Sequence, residues 1–259
     1  MGFANLPDGQ LHYEWSGPES APVLVFSNSL GTTFRMWDAQ LGEFTKYFRV
    51  LRYDTRGHGE SSASPGPYTI AQLSWDVVRL MDTLRLDRVC FCGLSVGGMT
   101  GMFLGANAPN RFHKIVLCNT AAKIGTDQTW NARIEAVKRD GMKSVAAGVI
   151  ERWFTPRYRN SHPDEAARAR RMLEESNVEG YVASCAAVRD TDHRLSLESM
   201  HVPVLVVAGT DDPVTTPSDG QFLANHIPKA KYVELSAAHL SNIEAKENFN
   251  REVLDFLRG

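Results

Sequence analysis

Two hydrophobic rhythms alternate along this chain. Short, nearly unbroken apolar runs occur at LHYEW (11–15), APVLVFS (21–27), FRVLRYD (48–54), RVCFCG (88–93), HKIVLCN (113–119), PVLVVAG (203–209) and KYVELS (231–236). Runs of this length predict strands, and continuous ones predict strands covered on both faces. Between them the spacing changes. Residues 69–84 set Ile70, Leu73, Val77, Leu80 and Leu84 at helical intervals, and VGGMTGMFLGA after RVCFCG predicts another helix. Further helices are predicted near 217–226 and over 245–257, the last with Phe249, Val253, Phe256 and Leu257 on one face. Strand–helix alternation of this kind implies right-handed crossovers and an α/β fold, with a mostly parallel central sheet and helices on both of its faces.

The alternation stops once. From about residue 120 to 198 no strand run occurs, only helical stretches near 128–139, 142–153, 163–175 and 178–188. A helical block between two strands of a parallel sheet reads as a cap over the strand ends. The expected organisation is a core of residues 1–120 and 199–259 with a helical cap, 121–198, inserted between two core strands.

Composition narrows the function classes. At 259 residues and 43% hydrophobic, the chain can bury a large core without disulfides or a metal. A net charge of −2 carries no basic footprint for nucleic acid. The N-terminus lacks a signal-peptide pattern, and no stretch approaches the roughly 18 apolar residues of a membrane span. Cys90, Cys92, Cys118 and Cys185 show no CxxC spacing, and three of them fall in strand runs, as free thiols do in a reducing compartment. The expected setting is cytoplasmic, with no nucleic-acid or membrane partner; oligomeric state is left open.

The sharpest chemical signal is CGLSVGG (92–98), a Gly93-x-Ser95-x-Gly97 pattern between a predicted strand and helix. A serine on a tight strand-to-helix turn needs neighbours without bulky Cβ substituents two positions either side. The amide of Val96 would then point, with the helix N-terminus, at an oxyanion formed beside Ser95. Such a serine needs a base, and the base a carboxylate. GTDDPVTTP follows one late strand and SAAHLSN the last, placing Asp211, Asp212 and His239 at strand C-terminal ends, where parallel-sheet sites form. Asp212 is the better acid, because Pro213 holds it extended at the loop start and Asp211 reads as a capping or solvent-facing neighbour. The other seven histidines do not follow a late strand in this way.

The order Ser95, Asp212, His239 on this strand pattern resembles the α/β-hydrolase superfamily over the whole chain. YDTRGHGESS (53–62) is similar to that superfamily's turn after the fourth strand, where Gly57 and Gly59 read as structural. Within the superfamily, SNSLGT, GLSVGG, GTDDPVTTP and AAHLSNIE, with CAAVRDTD (185–192), together resemble the 3-oxoadipate enol-lactonases. The resemblance implies serine-dependent hydrolysis of 3-oxoadipate enol-lactone to 3-oxoadipate in aromatic-compound catabolism, with no cofactor and no metal.

One stretch departs from the superfamily pattern. In FSNSLGTTFRMWD (26–38), Asn28 and Ser29 stand where His and Gly usually do. The working group at the next position is a backbone amide, so the resemblance implies an oxyanion hole of Leu30 and Val96 N–H whatever occupies position 28. Asn28 is expected to hold the loop by hydrogen bonds. A carboxylated lactone also needs a cation. Trp130 and Arg133, on one face of the first cap helix, are candidates for an apolar wall and a carboxylate clamp; Trp153 is a further wall candidate that also reads as cap core. Asp190, Asp192 and His193 together hint at a metal cluster but read better as loop structure. The competing functions are a general carboxylesterase, a cofactor-free haloperoxidase-like enzyme, a carbon–carbon bond hydrolase, or a binder that uses the same pocket without turnover.

Overall fold

The computed structural model describes residues 1–259. The chain begins with a hairpin of β1 (Gly2–Leu6) and β2 (Gly9–Ser16), paired antiparallel with Leu6 opposite Gly9. The sequence reading had β2 alone. The cue for β1 lay in LPDGQ, where Pro, Asp and Gly supply the backbone angles of a tight turn.

The remaining strands are β3 (Val23–Ser27), β4 (Arg49–Tyr53), β5 (Val89–Leu94), β6 (Phe112–Cys118), β7 (Val204–Gly209) and β8 (Lys231–Leu235). They form one eight-stranded sheet in the order β1-β2-β4-β3-β5-β6-β7-β8. Only the β1–β2 and β2–β4 pairings are antiparallel; every pairing from β4 to β8 is parallel. β5 and β7 are buried at every position, which explains their unbroken apolar character.

Among the helices of the sheet faces, α2 (Ile70–Thr83) and α3 (Val96–Asn107) lie in the expected places, whereas the short α1 (Asp38–Phe44) was not predicted. The α2 start is set by Thr69, whose side chain accepts from the Gln72 amide. Between β6 and β7 lie five helices and no strand: α4 (Asp127–Asp140), α5 (Lys143–Trp153), α6 (Pro156–Ser161), α7 (Pro163–Glu174) and α8 (Val178–Arg189). Four of these match the periodic stretches. The fifth, α6, is a single six-residue turn around buried Tyr158, too short to show a period. The core closes with α9 (Pro217–His226), α10 (Ser241–Glu244) and α11 (Lys246–Arg258). Phe249, Val253 and Leu257 of α11 are buried as expected, Leu254 joins them, and Phe256 is only partly covered.

The inserted helices sit directly on the loops at the strand ends. A Cβ on Gly180 of α8 would lie 2.2 Å from the Gly57 carbonyl oxygen, so backbone meets backbone there. Gly57 itself holds φ +74° in the turn after β4, a conformation that only glycine adopts without strain. No helix is long and apolar enough to cross a membrane.

Candidate active site

Ser95 stands between β5 and α3 with φ 58° and ψ −111°, outside the regions open to an ordinary side chain. Close packing on both sides imposes this. A Cβ on Gly93 would come 2.1 Å from the Gly97 carbonyl oxygen, and one on Gly97 would come 2.3 Å from that of Ser27. The turn is held by hydrogen bonds from Ser95 N–H to the Cys118 carbonyl (2.9 Å) and from the Thr120 hydroxyl to the Ser95 carbonyl (2.8 Å). Strain of this sort persists only where the surroundings over-determine it, and it aims the Ser95 side chain away from strand and helix alike.

The stretch after β3 is tied to this turn. Gly97 N–H donates to the Asn28 carbonyl at 3.0 Å. The Asn28 amide donates to the Tyr53 carbonyl (2.7 Å) and its side-chain oxygen accepts from the Trp37 indole (3.0 Å). All three residues are buried, so Asn28 braces the loop as expected. The backbone amide of Leu30 donates to no acceptor in the protein. Val96 is the first residue of α3, where an amide has no intrahelical acceptor. His58, from the turn after β4, steadies the far side of the loop: its Nε2 accepts from Gly31 N–H at 3.1 Å.

Asp212 and His239 come from the loops after β7 and β8. His239 Nδ1 lies 2.8 Å from Asp212 Oδ2, with both side chains buried. A carboxylate only accepts, so the proton in this hydrogen bond sits on Nδ1 and Nε2 faces away from Asp212. Asp212 takes four further hydrogen bonds: from Val214 N–H, from the Thr215 amide and hydroxyl, and from the Asn119 side chain. Burial pushes the Asp212 pKa up, but the His239 charge and this set of donors outweigh it and hold the carboxyl down at about 2. Asp211 is exposed and accepts from the neighbouring Thr210 hydroxyl. Gly209 lets the loops meet: a Cβ there would lie 2.5 Å from the Ala237 carbonyl oxygen.

Ser95, Val96, Leu30 and His239 line one small cavity, of about 40 Å³, with Trp130, Arg133, Arg152, Trp153 and Tyr181 from the inserted helices. Trp130, Arg133 and Trp153 were expected here; Arg152 and Tyr181 were not. The Arg133 guanidinium lies 4.8 Å from the centre of the Trp130 ring. Arg139, Arg170 and Arg189 of the same insertion pair with Asp140, Glu174 and Asp190. Arg133, Arg152, Arg157, Arg159, Arg168 and Arg171 form no ion pair with a carboxylate, and of these Arg133 and Arg152, both half-buried, line this cavity. Burial and the nearby Arg133 cation together lower the Arg152 pKa. The signal for Arg152 was its place beside Trp153 at a helix end, and for Asn119 its place directly after β6. Of the loop acids, Asp190 and Asp192 pair with Arg189 and Arg194, and His193 is buried with its pKa pushed down to about 4 by desolvation. A much larger hollow, about 1050 Å³, opens between α6–α7 and the α10–α11 junction and holds none of these cavity residues.

A serine at a strained strand-to-helix turn, an Asp-held imidazole and a free amide around one cavity define a class of proteins, and comparison with known proteins agrees. A family model described as alpha/beta hydrolase fold matches residues 22–246, and the chain belongs to that family. It is 43% identical to 3-oxoadipate enol-lactonase 2 of Acinetobacter baylyi, across 95% of this chain and 92% of that protein. Identity to 3-oxoadipate enol-lactonase 1 of the same organism is 40%, across 92% and 90%. Among solved structures it is similar to the enol-lactonase from Burkholderia xenovorans LB400, with 45% identity, a TM-score of 0.98 and full coverage of both chains.

Two outcomes follow from this geometry. Asn28→Ala leaves the Tyr53 carbonyl and Trp37 indole buried without partners, which should cost about 1–3 kcal/mol in urea unfolding and lower kcat about tenfold at similar KM. The second concerns pH. Because the folded pKa of Asp212 lies below the reference of 3.8, its ionised form stabilises the fold fully above that value. This stabilisation, roughly 2 kcal/mol, is lost as pH falls from about 4 through about 2. Between pH 5 and pH 3, wild type should lose about 1 kcal/mol more than Asp212→Asn in urea unfolding.

Proposed function

We propose that this chain hydrolyses 3-oxoadipate enol-lactone to 3-oxoadipate, with Ser95, His239 and Asp212 as its triad and helices α4–α8 as a substrate-binding cap. One observation carries the substrate class: two arginines without carboxylate partners share the cavity of Ser95 and His239. Unpaired cations in a confined site await an anion, and the planar guanidinium fork suits a carboxylate. The enol-lactone offers an ester carbonyl for Ser95 and a free carboxylate for Arg133 and Arg152 at once. Trp130, Trp153 and Tyr181 would wall the ring between them.

His239 Nε2 takes the Ser95 proton as Oγ attacks the lactone carbonyl. The oxygen of that carbonyl becomes an oxyanion facing the Leu30 and Val96 amides, each donor worth about 3–4 kcal/mol in serine hydrolases. Asp212 keeps His239 in the right tautomer and steadies the imidazolium. Collapse breaks the ring C–O bond and expels an enol oxygen, which needs less help from the acid than an amine would. The leaving group stays tethered to the acyl-enzyme and can reclose the ring until it tautomerises to the ketone. The leaving enol oxygen takes the proton from His239. The freed Nε2 then deprotonates the water that attacks the acyl carbonyl, and passes that proton to Ser95 Oγ as 3-oxoadipate is released. The four cysteines are free and buried, which suits work in the reducing cytoplasm.

Turnover of 3-oxoadipate enol-lactone and of a neutral aryl acetate by the purified protein tests this reading. The lactone should be preferred, and Ser95→Ala should fold normally yet lose turnover on both by a factor on the order of 10⁴ or more. Arg133→Ala should lower kcat/KM about 10–100-fold on the lactone and little on the acetate. A wide preference for simple esters would make the protein a general esterase instead.

A further inference from the structure

The loop carrying His239 is bonded to the cap. His239 N–H donates to the Arg152 carbonyl at 3.4 Å and Leu240 N–H to the Trp153 carbonyl at 3.0 Å. These carbonyls belong to the last turn of α5, where no intrahelical donor remains. The same two residues turn their side chains into the cavity. The base and two cavity-wall side chains are therefore one peptide pairing apart.

Glu244, at the end of α10, closes this junction from behind. Its Oε2 accepts from Ala238 N–H (3.0 Å), one residue before His239, and from Thr155 N–H (3.2 Å), two residues beyond Trp153. Its Oε1 accepts from the Thr155 hydroxyl. That hydroxyl also accepts from Tyr158 N–H at 3.2 Å, which starts α6. Glu244 forms no ion pair, whereas Lys246, two residues on, turns to Glu247. A half-buried carboxylate bonded only to N–H and O–H donors from two segments acts as a cross-link between them.

We infer that Glu244 is a positioning residue that locks the cap, through Thr155, to the His239 loop, so that the carboxylate-binding wall and the general base keep one register. The inference rests on the proposed roles of Ser95, His239 and the cap arginines. A substrate gripped at both ends, by Arg152 in the cap and by Ser95 in the core, depends on that register. A small neutral ester, held only at the triad and the oxyanion amides, depends on it much less.

Kinetics of the full-length Glu244→Ala and Glu244→Gln proteins on the enol-lactone and on a neutral aryl acetate test this. Glu244→Ala should lose about 10–100-fold in kcat/KM on the lactone and less than about threefold on the acetate. Glutamine keeps an oxygen for both amides and can donate to the Thr155 hydroxyl, so Glu244→Gln should recover to within about threefold of wild type on both substrates. If Glu244→Ala does not fold, Thr155→Val carries the same comparison from the cap side, with a smaller loss on the lactone alone. Unchanged lactone turnover in the variant that folds, equal losses on the two substrates, or no recovery in Glu244→Gln would each overturn the inference. Those outcomes leave Ser95→Ala inactive and the lactone preferred by wild type. Absence of wild-type lactone turnover would overturn the substrate reading and this inference together.

Discussion

Everything at this site depends on how closely backbone can approach backbone around Ser95. A Cβ on Gly97 would lie 2.3 Å from the Ser27 carbonyl oxygen and one on Gly93 2.1 Å from that of Gly97, so β3, β5 and α3 converge at a spacing that side chains would forbid. That convergence drives Ser95 into positive φ and exposes the first amides of α3 beside it. It also brings the loop after β3 within reach of α3, so the Asn28 carbonyl can take the Gly97 amide. The serine turn, the approach of the loop after β3 and the exposed helix N-terminus are consequences of one steric fact.

The charges follow an opposite logic on the two sides of the cavity. Asp212 is saturated: His239, Asn119, Thr215 and the Val214 amide meet its oxygens, and the carboxyl stays ionised despite burial. Arg133 and Arg152 are left without counter-ions next to each other; burial first, and then the neighbouring Arg133 cation, lower the Arg152 pKa. A saturated anion fixes a geometry, whereas an unsaturated pair of cations creates a demand for a ligand. In the proposed function, this contrast separates the part of the site assigned to acyl transfer from the part assigned to substrate selection.

Much of this was readable in the chain. The strand runs from β2 to β8, the helical interruption between β6 and β7, and the GLSVGG turn are local patterns, written in residues next to one another. So were the positions of Asp212 and His239 just past late strands. Asn28 and Ser29 looked like damage to a familiar motif, yet the group offered at the next position is the Leu30 amide, which any residue but proline supplies. What replaced the usual histidine had to do only a bracing job, and Asn28 does it through Tyr53 and Trp37.

The sequence by itself determined the order of elements and the chemical types available at each strand end, because periodicity and turn chemistry are properties of neighbouring residues. It carried no measure of distance between segments far apart in the chain. Only the tertiary structure decided that Asn119 braces Asp212 across 93 positions, that Arg152 joins Arg133 at the cavity, and that Glu244 reaches Thr155 across 89. Those contacts arise where separate segments pack on the loops at the strand ends, and such packing leaves no periodic trace in either segment.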